Sequence, residues 1–415
     1  MSEIKKADYL IIGNGTAAVG AVEGIRSVDK AGTITVISQE PYKAYCRPLI
    51  SYYLEGKASP ERMGYRSESF YEDNECGLLL GKTAGAIDPD SKTVTLESGE
   101  VICYEKLLIA SGSSPFVPGF EGLESVPKEF SFMTYDDALA IEKAVTKESK
   151  VLIIGAGLIG LKCAEGLKER VGKITVCDLA PKVLSSILDD DCAKIVSAHL
   201  EANGISLMTG DTAVSFSGSK ARMKSGAEVE FDVLVLAVGV RPNIGIFKEA
   251  GGSCGRAITV DTKMHTSLCD IYAAGDCTES LDISSGTVKV MALMPNAYMQ
   301  GRCAGINMAG DGNDFTQAIP MNSIGFFGLH IMSAGSYTGE EVILHSDKGL
   351  KKFYIDGGLL KGFIIIGDTQ RAGIYTSLIR NKIPLDTIDF ESLKQTPQIY
   401  SLGKDYCHEK LGGVV

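Results

Sequence analysis

Two glycine clusters carry the most specific chemistry in the chain: Gly13-Asn14-Gly15-Thr16-Ala17-Ala18 and Gly155-Ala156-Gly157-Leu158-Ile159-Gly160. In each, the first glycine permits a tight turn, and the second lets the backbone approach a pyrophosphate at a helix amino terminus. The third position, Ala18 or Gly160, allows close helix packing. Either pattern alone is weak and could be a glycine-rich turn. Both, however, sit between an apolar run (DYLII, VLII) and a helix-like segment, the context a dinucleotide site requires. Asp178, after ITVC, stands where a carboxylate holds the adenosine ribose hydroxyls, which favours NADH over NADPH. After the matching ITVI of the first unit comes Ser38, so Glu40 is the substitute candidate there, against the alternative of a solvated loop carboxylate.

These clusters belong to a repeated element. DYLIIGNGTAAVGAVEGIR followed by ITVISQE predicts strand, helix, strand, and VLIIGAGLIGLKCAEGLKERVGKITVCD repeats that order. At 415 residues the chain exceeds what one hydrophobic core serves, so two or three domains are expected. With 45% hydrophobic and 22% charged residues it reads as ordinary globular protein. A net charge of −11 without a dense basic run argues against nucleic acid and anionic membranes as partners. No apolar run reaches the ~20 residues a membrane helix needs. The amino terminus runs directly into the first strand, leaving no room for a signal peptide, so a cytoplasmic location is expected. The 11 cysteines include no Cys-x-x-Cys pair, so no thioredoxin-like dithiol, zinc ribbon or iron–sulfur site is spelled out, and no metal is expected.

Three further segments, YEKLLIASGSSP (104–115), AVGVRPN (237–243) and TSLCDIYAAGDC (266–277), occur in this order. With the two glycine clusters they resemble the FAD-dependent pyridine nucleotide-disulfide oxidoreductase family over roughly residues 7–310. The resemblance is strongest to NADH-dependent rubredoxin and ferredoxin reductases and the nitrite reductase flavin domain. It implies an α/β protein with two Rossmann-like dinucleotide-binding domains, for FAD and NADH, plus a small α+β C-terminal interface domain. The expected boundaries are 1–113 with 242–316 for FAD, 114–241 for NADH, and 317–415 for the last.

The resemblance also implies roles. Ala110, Ser111 and Gly112 would close the FAD site, to which Ala84 also contributes, and Gly239 would lie beside NADH. Asp276, next to Gly275, would accept hydrogen bonds from the flavin ribitol, the bland alternative being a helix cap. PNAYMQGRCAGINMAG (295–310) predicts a helix starting at Pro295, whose positive end would face the pyrimidine side of the flavin. Arg47, Pro48 and Ser51 match the family's Arg-Pro-x-x-Ser segment against the flavin ring.

Three candidate catalytic residues follow from departures within that frame. Single-cysteine members would place their thiol at Pro48, so Cys46 is two residues out of register, and a packed thiol is its plainer reading. Arg47 would lower the Cys46 pKa if both faced the site. Ferredoxin-reductase relatives carry a Lys after the serine and a Glu two residues past the third NADH-motif glycine. Here those positions are Tyr52 and Lys162, so a lone cation is expected to replace an ion pair.

Beyond residue 316, KKFYIDGGLLKGFIIIG predicts two strands around an Asp-Gly-Gly turn, and RAGIYTSLIRNKIPLD a short helix. KDYCHEKLGGVV would dock a partner or remain mobile. The expected function is transfer of electrons from NADH through FAD to a small iron–sulfur or rubredoxin-type carrier protein, in a homodimer or larger redox complex. The alternatives are an NADH oxidase or coenzyme A disulfide reductase using Cys46, and a non-enzymatic NADH-sensing flavoprotein.

Overall fold

The computed structural model describes residues 5–310, 312–346 and 349–402. The first apolar run forms the central strand Lys5–Ile12, flanked in parallel by Ile34–Ser38 and Val101–Ile109. Cys76–Leu80 adds to one side and Ile271–Ala273 to the other, so a distant segment returns to complete the sheet. A hairpin, Ala84–Asp88 with Thr93–Leu96, hangs on the early half of Val101–Ile109. Leu10 and Ile11 are fully buried, as expected of a parallel strand covered on both faces.

Helix Thr16–Val28 and helix Met294–Met308 cross at very close range. A Cβ at Gly301 would overlap the Ala17 carbonyl, and one at Gly24 would overlap the Arg302 carbonyl. This contact fixes the start of the second helix beside the first glycine cluster. The expected helix at 295–310 is thus present and begins at Met294, with Pro295 in its first turn, where its missing N–H costs nothing.

The second unit is a parallel sheet ordered Ile205–Thr209, Lys173–Asp178, Lys150–Ile154, Val233–Leu236, Glu129–Ser131. The chain enters and leaves it through two short strands, Ser113–Pro115 and Val240–Pro242, that pair antiparallel.

The C-terminal part is a five-stranded antiparallel sheet, Met321–Phe326, Leu329–Gly335, Leu359–Gly367, Gly349–Asp356, Glu340–Ser346. Gly357 and Gly358 both take positive φ (58° and 71°), the conformation a two-residue hairpin turn demands. The expected strands and helix, Gly373–Arg380, are therefore found. That helix covers one face of the sheet through Tyr375, which packs on Phe353 and Phe363. On the other face Phe326, Ile331 and Ile364 share one core with Leu161 and Val196 of the second unit. Lys352, only 3% exposed, reinforces that junction with Asp189 at 2.7 Å, Asp191 at 3.1 Å and Glu341 at 3.1 Å. The segment KDYCHEKLGGVV lies outside the described residues. Among the described residues no helix is long and apolar enough to cross a membrane.

Candidate functional site: two phosphate cradles and the cleft between them

The two glycine clusters adopt the same geometry. Gly13 has φ 105° and Gly155 φ 116°, and a Cβ on either would overlap the carbonyl of Ala110 or Ala237 in the adjoining strand. Glycine is required twice over at both turns. Gly15 and Gly157 are the N-caps of helices Thr16–Val28 and Leu158–Leu167, and neither helix has a side-chain cap. A Cβ on either glycine would meet nothing within 4 Å. The first N–H groups, around Thr16-Ala17 and Leu158-Ile159, therefore open onto clear space at the positive end of a helix dipole, which fits a pyrophosphate. Ala18 is buried, and a Cβ on Gly160 would overlap the Gly155 carbonyl, so both third positions serve packing.

Asp178 ends its strand and accepts hydrogen bonds from the backbone N–H of Ala156 (2.7 Å) and Ala180 (2.8 Å). It thus braces the glycine turn. In the first unit Ser38 donates to the Glu40 carbonyl at 2.8 Å. The Glu40 carboxylate is held by the Arg47 guanidinium and by the Tyr45 hydroxyl at 2.6 Å, while Arg47 also donates to the Met133 carbonyl at 3.0 Å. Ala84 opens the hairpin beside this strand end, where Lys82 N–H bonds the Ser38 carbonyl.

The segments quoted from 104–115, 237–243 and 266–277 meet at one place. Ser111 donates to the Asn243 carbonyl at 2.7 Å, and the Asn243 amide donates back to the Ser111 carbonyl at 2.9 Å. This clasp fixes the crossing next to Ala110 and Gly112. Ser113 donates to Asp276 at 3.0 Å, and Gln300 accepts the Gly275 N–H at 2.7 Å, tying the Gly-Asp turn to the helix carrying Pro295. Burial pushes the Asp276 carboxyl above its ordinary range, against the opposing pull of Ser113 and Arg47. A cavity of about 480 Å³ opens here, lined by Ser113, Phe116, Gly239, Arg241, Arg256 and Asp276. Asn243 and Gln300 were not singled out from the sequence, although they stood in the quoted AVGVRPN and PNAYMQGRCAGINMAG.

In the Cys46 to Lys162 region the packed-thiol reading of Cys46 agrees with the structure, and the lone-cation expectation for Lys162 does not. Arg47 turns to Glu40, and burial pushes the Cys46 thiol up against the smaller opposing pull of the Leu49 backbone N–H. Lys162 is not a lone cation. It pairs with buried Glu165, donates to the Gly325 carbonyl at 3.3 Å, and lies 4.6 Å over the ring of Tyr52. Glu165 in turn accepts the Phe327 N–H at 2.6 Å. The lone-cation expectation failed because it counted one position per turn, and a carboxylate three residues on lies on the same helix face. Pro48 caps helix Leu49–Leu54, within which Ser51 is buried. Among the described residues no group of three His, Cys, Asp or Glu side chains could hold a metal.

The family model described as pyridine nucleotide-disulphide oxidoreductase matches residues 7–301, and the rubredoxin NAD+ reductase C-terminal domain matches 320–383. The chain is 31% identical over 395 residues to the NADH-dependent phenylglyoxylate dehydrogenase subunit epsilon of Aromatoleum evansii, covering 92% of this chain and 93% of that one. It is 36% identical over 315 residues to an NADH oxidase of Methanocaldococcus jannaschii, covering 72% and 70%. Among solved structures, the NADH:rubredoxin oxidoreductase of Clostridium acetobutylicum superposes with a TM-score of 0.74 at 27% identity, covering 93% of this chain and 98% of that one. Together with the paired cradles, these matches show that the chain belongs to the pyridine nucleotide-disulphide oxidoreductase family, as an NADH-dependent, FAD-binding oxidoreductase.

Proposed function

We propose that this enzyme passes electrons from NADH, through FAD, to a small iron–sulfur or rubredoxin-type carrier protein. The observation that carries the reading is the combination of two phosphate cradles, packed on Ala110–Ser111 and Ala237–Val238 beside the segments that line the Asp276 cleft, with a thiol, Cys46, that burial keeps protonated. All ten described cysteines are free. The next cysteine after Cys46 is Cys76, so the segment lacks the closely spaced cysteine pair of a disulfide-reducing dithiol.

In this reading Gly13, Gly15 and Thr16 to Ala18 hold the FAD pyrophosphate, with Ser38, Glu40, Arg47, Pro48 and Ala84 toward its adenosine and ring surroundings. Ala110 to Gly112, Gly275, Asp276 and the helix start at Pro295 enclose the flavin end. Gly155, Gly157 to Gly160, Asp178 and Gly239 hold NADH. Bound FAD supplies the step from two-electron to one-electron transfer. Asp276 orients it as a hydrogen-bond acceptor, and the uncapped helix start at Met294 places a positive dipole end nearby. We assign residues 1–113 with 242–316 to the FAD domain, 114–241 to the NADH domain and 317–415 to the interface domain. A cytoplasmic homodimer or larger redox complex completes the proposal, the latter supported by a relative that is itself a subunit.

The test is anaerobic. NADH-reduced enzyme is mixed in turn with a ferredoxin, a rubredoxin, coenzyme A disulfide and oxygen, and flavin reoxidation is timed. Fastest reoxidation by a carrier supports the proposal. It fails if the disulfide or oxygen is fastest and Cys46→Ser abolishes that reaction.

A further inference from the structure

The hairpin of Thr278–Asp282 and Thr287–Val290 leaves an apolar face uncovered. Its register sets Leu281 opposite Val288 and Glu279 opposite Val290, and strand alternation places all four on one face. Leu281 is 53% exposed and Val288 64%. Among the described residues Thr287–Val290 pairs only with Thr278–Asp282, so it is a sheet edge. Proteins commonly guard such edges with a lysine. Here the Lys289 ammonium is drawn 2.7 Å from fully buried Asp282, on the opposite face, and leaves the apolar pair unguarded.

The position of this face indicates its partner. Val290 lines the same cavity as Asp276, so the apolar face runs into the mouth of the redox cleft. Arg241 and Arg256 are exposed at that mouth, Arg241 resting 4.1 Å over the Phe116 ring. Glu279 folds onto the backbone N–H of Arg256 at 2.7 Å and Asp276 lies inside with Ser113, whereas both arginines are exposed. On a chain of net charge −11, these two outward guanidinium groups are what an acidic partner can meet at this mouth. We propose that the Leu281/Val288 face, with Arg241 and Arg256 at its rim, docks the electron carrier, a protein with an apolar contact centre ringed by carboxylates. This rests on the carrier reading above.

The holoenzyme is assayed with NADH and either ferricyanide, which needs no docking face, or an acidic [2Fe–2S] ferredoxin at low salt. Val288→Glu should raise the KM for ferredoxin at least tenfold and leave ferricyanide turnover unchanged. Val288→Lys should keep the wild-type KM or lower it. Unchanged ferredoxin kinetics in both variants overturn the docking face. Equal losses in both overturn the charge match, and a dimer-to-monomer shift of Val288→Glu in light scattering assigns the face to a second copy instead. A wild-type enzyme that reduces ferricyanide but neither ferredoxin nor rubredoxin overturns the carrier reading itself, a result distinct from the first.

Discussion

The Lys162 ammonium lies 4.6 Å over the Tyr52 ring while its charge is taken up by Glu165, only 7% exposed. Because Glu165 also receives the Phe327 N–H, this pair joins the NADH-motif helix to the C-terminal sheet. Lys162→Ala leaves a buried carboxylate unpaired and should destabilise the protein by about 3 kcal/mol, measured by urea unfolding. Lys162→Ala/Glu165→Gln should recover part of that loss. In the double variant the flavin midpoint potential should move little, since the pair it removes carries no net charge. A large fall in potential with unchanged stability would return Lys162 to a role at the flavin.

Asp178 braces the glycine turn through Ala156, and the proposed NADH site also gives it the ribose hydroxyls. Asp178→Ala should therefore lower kcat/KM for NADH at least tenfold, lower that for NADPH less, and so narrow the ratio between them. Steady-state assays with both nucleotides check this. An unaltered ratio removes Asp178 from the ribose site.

The two glycine turns could be read from the sequence because such turns are local: Gly13 and Gly155 are fixed by a positive φ and by one carbonyl each, of Ala110 and Ala237 just past a strand end. The helix of Met294–Met308 was legible for the same reason. Partnerships made across long separations were not. Sequence left open whether Arg47 faces the site with Cys46, its neighbour, and packing turns it to Glu40 and Met133. The clasp of Ser111 with Asn243 joins residues far apart in the chain, and no periodicity announces such a pair. Nor did the sequence show that one face of the C-terminal sheet would share the core of the NADH-binding unit, since an apolar strand face does not name its partner.

Burial holds the Cys46 thiol above its ordinary pKa, so at neutral pH it is protonated and a poor nucleophile. Alkylation of Cys46 by iodoacetamide should be slow at pH 7 and accelerate as pH rises beyond the usual thiol range. Cys46→Ser should keep turnover with the carrier within twofold of wild type. Rapid alkylation at pH 7, followed by mass spectrometry, would contradict this environment.

Asp276 titrates above the ordinary carboxylate range because it is desolvated at the cleft. Its raised folded pKa means that the cost of burying its charge grows as pH rises through the carboxylate range and vanishes once the group is protonated in both folded and unfolded states. Asp276→Asn should accordingly raise the Tm of FAD-free protein at pH 7, and this gain should fade toward acid pH. The same variant should bind FAD more weakly, having lost an ionised acceptor. Calorimetry of the FAD-free protein and flavin titration separate the two effects.

Gly301 sets how closely the helix bearing Pro295 approaches the helix capped by Gly15, because any Cβ there would overlap the Ala17 carbonyl. Backbone is the obstacle, so no side-chain rotation relieves it. Gly301→Ala should cost about 2 kcal/mol through overpacking despite the better helix propensity of alanine. Since the displaced helix also carries Gln300, which holds Gly275 beside Asp276, FAD affinity should fall together with stability. Gly310→Ala is not an adequate control, because Gly310 itself has φ 95°. Arg302→Ala, which trims an exposed residue and leaves the backbone of the crossing intact, should leave FAD binding nearly unchanged. If Gly301→Ala binds FAD as tightly as wild type, the close crossing supports the fold alone and does not position the flavin site.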